Sequence, residues 1–120
     1  FERDLGWKGH VMLGGKAVEL VLGSDGEAPS NVMLQTAKSW LTEWPSQYPK
    51  IIEYIRQELR GWSGEPNLPL PDTLEVESIN LLWSDKPKTS MIYFHYPGDD
   101  LRAWHVTFDG FEPRGFAYDD

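Results

Sequence analysis

Three histidines, 19 acidic side chains and a group of Trp, Tyr and Arg residues are what this 120-residue chain offers for chemistry or for holding a partner. A metal would need several ligands at regular spacing, but His10, His95 and His105 form no i, i+4 pair and no His-Glu-x-x-His pattern. General acid–base work needs two carboxyl groups in a pocket that drives their pKa values apart. Asp99-Asp100 sit instead in a turn-like stretch, Asp109 and Glu112 flank another, and Asp119-Asp120 stand last. Asp109-Gly110 lacks the alternating oxygen ligands of a calcium loop. Gly-x-Ser-x-Gly is missing, and Gly6, Gly9 and Gly14-Gly15 read as hairpin residues, not as a phosphate cradle. The zero cysteine count removes thiol nucleophiles, disulfides and thiolate metal sites. The expectation is a protein that is not an enzyme, with no catalytic residue, metal or cofactor.

An interaction surface reads better. Trp, Tyr and Arg anchor protein interfaces because they bury much area and keep a polar handle. The expected partner-binding residues are Tyr93, His95, Arg102 and Trp104 on one sheet face, with Asp99, Asp100 and Glu112 as an acidic rim at its end. Eleven basic against 19 acidic residues leaves a net charge of −8. Residues 1–64 hold eight acidic and seven basic side chains, and residues 65–120 hold eleven and four. Such a field repels nucleic acid and anionic membrane and favours a basic protein partner. No stretch nears the roughly 18 apolar residues of a membrane span. Phe1-Glu2-Arg3-Asp4 does not read as a signal peptide, so a cytoplasmic location is expected. A first residue other than Met points to trimming or to a fragment.

The elements that must position these residues follow from periodicity. Apolar residues alternate through Trp7, Val11, Leu13, Val18, Leu20 and Leu22, with Gly14-Gly15 as a two-residue turn that pairs Val11 with Val18 and His10 with Glu19. Ser24-Asp25-Gly26 closes the second strand. Met33, Ala37, Trp40, Leu41 and Trp44 make a helical stripe, capped at Ser30 or Asn31 and stopped by Pro45. A second stripe, Ile51, Ile52, Ile55, Leu59 and Trp62, starts beside Pro49 and ends near Gly61. Residues 63–73, with three prolines, read as a connecting loop.

Four strands then follow, at Glu77–Ser84, Ser90–Tyr96, Leu101–Asp109 and around Gly115–Tyr118. Registering the tight turns pairs Trp83 with Ser90, Leu81 with Ile92, Ile79 with Phe94, Phe94 with Ala103 and Ile92 with His105. The core face would carry Ile79, Leu81, Trp83, Ile92, Phe94, Tyr96, Leu101 and Ala103. The other would carry Asn80, Leu82, Met91, Tyr93, His95, Arg102, Trp104, Val106 and Phe108, leaving His105 at the core. The expected architecture is a single α+β domain over residues 1–120: an N-terminal β-hairpin, a two-helix hairpin, then a four-stranded antiparallel meander with both helices on one sheet face.

Gly15-Lys16-Ala17-Val18-Glu19-Leu20, Ile92-Tyr93-Phe94 and Trp104-His105-Val106-Thr107-Phe108-Asp109-Gly110 carry a resemblance along nearly the whole chain. In these segments it resembles an uncharacterised bacterial domain family found among immunity proteins of polymorphic toxin systems. That resemblance implies a small cytoplasmic α+β protein that neutralises a cognate toxin by direct binding, with no catalytic residues to carry over. An acidic chain suits a basic toxin such as a nuclease. The second expectation is a structural or regulatory domain that forms a homodimer through its Tyr93/Trp104 face.

Overall fold

The computed structural model describes residues 2–3, 7–23, 31–62, 68–82, 86 and 88–119. Its elements are β1 (Glu2–Arg3), β2 (Trp7–Leu13), β3 (Lys16–Leu22), one helix α1 (Asn31–Arg60), a short 3-10 turn (Pro71–Thr73), β4 (Glu75–Leu81), β5 (Thr89–Tyr96), β6 (Asp99–Asp109) and β7 (Glu112–Asp119). The strands form one seven-stranded sheet in chain order. Every neighbouring pair is antiparallel except β3 and β4, which run parallel. Parallel neighbours need a long crossover, and α1 supplies it. The N-terminal hairpin therefore extends the meander's sheet as part of a βαβ unit.

The β2–β3 hairpin follows the expected register, with Val11 opposite Val18 and His10 opposite Glu19. Gly14 and Gly15 have φ of 60° and 80°, the left-handed values that this two-residue turn demands and that side chains with a Cβ resist.

The expected two-helix hairpin is replaced by a single 30-residue helix that runs through Pro45 and Pro49. Buried Met33, Ala37, Trp40, Trp44, Ile51 and Ile55 and partly buried Tyr48 and Leu59 recur every three or four positions without a phase break at either proline. An interior proline costs about 3 kcal/mol, and burying one large apolar side chain recovers roughly 1.5–3 kcal/mol. Ile51, Ile52 and Ile55 beyond the prolines, all buried, outweigh that cost. Both prolines lie on the exposed side, where water can solvate the carbonyls of Leu41 and Pro45 that lose an N–H donor. Beyond Arg60 the chain tightens, with Gly61 N donating to Glu58 O and Trp62 N to Leu59 O, near the expected stop.

The helix covers one sheet face. Against it lie Val18, Leu20, Leu22, Ile79, Leu81, Ile92, Phe94, Trp104, Val106 and Phe108, all buried. Trp40 crosses the layers by donating its indole N–H to Ser90 Oγ at 3.1 Å and meets Phe108 and Phe111 edge-on.

Two registers differ from the expected ones. In β4–β5, Ile79 pairs with Ile92, a shift of two residues that leaves each side chain on its face. In β5–β6, Ile92 pairs with Val106, Phe94 with Trp104 and Tyr93 with His105, a slip of one. Tyr96 pairs with Asp99 at the Pro97-Gly98 turn, and an irregularity between Phe94 and Tyr96 takes up the extra residues of β6. The slip exchanges faces along β6: Trp104, Val106 and Phe108 enter the core, His105 leaves it, and Leu101 is 85% exposed. The expected Trp83–Ser90 pair, the Ser24-Asp25-Gly26 turn and residues 63–67 lie outside the described residues. No helix among the described residues is long and apolar enough to cross a membrane.

Candidate functional site

The sheet face turned away from α1 carries a polar row that crosses six strands. Register places His10, Glu19, Ser78, Tyr93, His105 and Ala117 side by side in it. The row arises from period-2 alternation along the strands, interrupted only at the irregularity between Val76 and Ser78, where Glu77 also faces out. Along this face His10 and Ala117 are exposed and Glu19, Ser78 and Tyr93 partly exposed, whereas Val21, Asn80 and His105 are buried.

Tyr93, His105 and Asp119 meet in its middle. The Tyr93 and His105 rings lie 5.0 Å apart. The Tyr93 hydroxyl donates to Asp119 Oδ2 at 3.2 Å, and His105 Nε2 lies 3.4 Å from Asp119 Oδ1. One carboxylate thus holds two rings. Desolvation of Tyr93, reinforced by the Asp119 charge and hydrogen bond, pushes its phenol pKa above 10.0. His105 Nδ1 is buried with no partner among the described residues. Beside the row, His95 Nδ1 is 3.7 Å from Glu77 Oε1 and its Nε2 is 3.5 Å from Asp100 Oδ1, with Asp100 87% exposed.

Among the expected partner-binding residues, Tyr93, His95 and Asp100 are therefore close together. The rest are elsewhere. Trp104 is fully buried on the helix side, stacked on Phe116 at 5.3 Å with an interplanar angle of 14°. Arg102 lies over the Trp104 and Tyr118 rings, 4.8 and 5.2 Å from their centroids, and its Nε donates to Asp99 Oδ2. Glu112 opens β7 opposite Asp109, at the other end of the long β6 strand from Asp99, so these acids do not form a single rim. Asp119, Glu77 and His105 complete the cluster and were missed. The alternation that puts Phe116 and Tyr118 inward already places Asp119 outward, whereas recovering His105 needed the true β5–β6 register.

Asp99 is set in place by its neighbours. The Arg102 guanidinium, and then the Leu101 backbone N–H at 2.9 Å, hold its carboxyl below the usual 3.8. A folded pKa depressed in this way stabilises the protein at pH values above the unfolded one, and that contribution is lost as pH falls through the folded value. Asp99→Asn should therefore flatten the pH dependence of the urea midpoint below about pH 4, the region of an ordinary aspartate. An unchanged slope would mean that the Asp99–Arg102 pair does not persist in solution.

No protein-family model, curated protein or solved structure matches the chain.

Among the described residues, no three His, Asp or Glu side chains converge as a metal site would require. Tyr93, His95 and His105 present flat rings with polar edges, and Glu77, Asp100 and Asp119 surround them with carboxylates at 54%, 87% and 61% side-chain exposure. Exposed carboxylates beside the partly exposed Tyr93 and His95 rings, with His105 buried behind them, suit contact with cationic side chains, through ion pairs and cation–π stacking.

Proposed function

We propose that this chain is an immunity-type binding protein that neutralises a basic toxin by covering it with the outer sheet face. The observation that carries this reading is the ring cluster Tyr93, His95 and His105 bordered by the exposed carboxylates of Glu77, Asp100 and Asp119. The net charge of −8 adds long-range attraction for a cationic partner. The resemblance of the hairpin, β5 and β6 segments to immunity proteins supports the same partner class. Trp104 and Glu112 take no part in this surface.

The reading is tested by co-purification from the native host with wild type and with a Glu77→Lys/Asp100→Lys double variant, followed by mass spectrometry and association kinetics on the partner recovered. One basic protein should be retained in stoichiometric amount by wild type, and its association rate should fall as salt rises. The double variant should bind it at least roughly tenfold more weakly, because like charges then meet across the contact. Retention of the same partner at equal affinity by the double variant would refute the assignment of this face. Recovery of an acidic partner, or of none, would refute the class.

A further inference from the structure

Residues 65–120 hold four basic side chains against eleven acidic ones, and three of those four, Lys86, Lys88 and Arg114, line one hollow of about 590 Å³. The hollow lies where the β4–β5 connection meets the β6–β7 turn. Thr89 N donates to Lys86 O and Gly110 N to Lys88 O, each at 3.0 Å, which ties the two segments together. Thr89 and Thr107 also line it. Asp109 is the single carboxylate among its described lining residues, with Oδ2 3.8 Å from Arg114 Nη2. Among the described lining residues three cations thus face one carboxylate, in a chain of net charge −8. Neither lysine has an ion-pair partner among the described residues. Concentrating like charges at one place is unfavourable unless an anion arrives to separate them.

We infer that this hollow binds a compact, phosphate-bearing small molecule. Lys86 and Lys88 supply point charges, Arg114 supplies a planar donor fork suited to two phosphate oxygens, and Thr89 and Thr107 supply hydroxyl donors. Asp100 lies nine residues along β6 from Asp109, roughly 30 Å at the rise of a strand, and charges that far apart are screened beyond a Debye length of about 8 Å. The hollow's field is therefore independent of the acidic cluster. A nucleic acid laid along the same face would run into Asp119, Asp100 and Glu77, so a ligand with one or two phosphates fits where a polymer does not. Glu112, the cross-strand neighbour of Asp109, lines the adjoining hollow with Lys50 and Gln47. The hollow and the cluster proposed to face a toxin lie at opposite ends of β6.

Isothermal titration of the full chain with pyrophosphate at low salt tests it. Wild type should show saturable one-to-one binding. Lys86→Glu/Lys88→Glu should weaken it roughly tenfold or more and Arg114→Gln roughly threefold, whereas Lys50→Glu, at the neighbouring hollow, should leave it within about twofold. All four side chains are exposed, so each variant should melt with wild type in the absence of ligand. A nucleoside diphosphate titrated in parallel separates two sources of the same chemistry: tighter binding than pyrophosphate assigns an organic diphosphate, and weaker binding assigns inorganic phosphate. Equal affinity of wild type and the double variant, absence of saturation, or tighter binding of a single-stranded oligonucleotide than of pyrophosphate would overturn the inference.

Discussion

Trp104→Ala should destabilise the protein by about 3–5 kcal/mol, among the largest losses a single truncation can cause. Trp104 is fully buried and central to an aromatic cluster: besides its stack on Phe116, its ring lies 4.9 Å from Tyr118 and 5.6 Å from Trp62. Truncation would leave a cavity between sheet and helix end, and the Arg102 guanidinium would lose its closest aromatic partner. Trp104→Phe should cost much less, about 1–2 kcal/mol, because it keeps a ring against Phe116. It also removes an indole N–H that is buried without a partner among the described residues. Tyr93→Ala, across the sheet and half-buried, should cost about 1 kcal/mol. Urea denaturation of the three variants at pH 7 measures all of this. If Tyr93→Ala proves the more damaging, the β5–β6 register is the other one and Trp104 faces outward.

Pro45→Ala and Pro49→Ala should each stabilise the protein, by about 2 kcal/mol. An interior helix proline is roughly 3 kcal/mol worse than alanine, and the extra freedom that alanine gives the unfolded chain returns up to about 1 kcal/mol of that. Each substitution restores one N–H, from residue 45 to the Leu41 carbonyl and from residue 49 to the residue 45 carbonyl. Both sites are exposed, so losing the ring carbons leaves no cavity in the core. The melting temperature should rise for each variant, with a small gain in helical circular dichroism. A fall in stability would show that the prolines shape a turn between two helices, as the residue pattern alone had suggested.

Helix continuity illustrates why part of the fold was hidden. Read locally, Pro45 ends a helix and Pro49 starts another. What overrides this is the match between one unbroken inward stripe and one sheet face, and that face exists only once the strands have assembled. The same holds for β6. Its residues alternate whichever way the strand is registered, and one position of slip sends Trp104, Val106 and Phe108 either in or out. The turn at Pro97-Gly98 is visible in the chain. The irregularity that follows it, which sets the register, is not.

The candidate site was legible to the same degree. Tyr93, His95 and Asp100 were recognisable as one neighbourhood because they sit on β5 and at the turn beside it, where sequence distance and spatial distance agree. Asp119 and Glu77 come from strands on either side, and His105 depended on the register. The basic hollow was likewise invisible, since Lys86, Lys88 and Arg114 are brought together by the packing of two chain reversals.

The amino-acid sequence by itself determined the features whose cause is local. These are the Gly14-Gly15 turn, whose backbone angles only glycine adopts readily, the alternating strands, the inward stripe of α1 and the uneven distribution of charge. Tertiary structure alone decided that one helix spans both prolines, that hairpin and meander share a sheet through the parallel β3–β4 pair, and that His105 faces outward where Trp104 was expected. Those outcomes depend on how much apolar surface distant segments can bury against one another, a quantity set by the assembled chain and not by any short stretch of it.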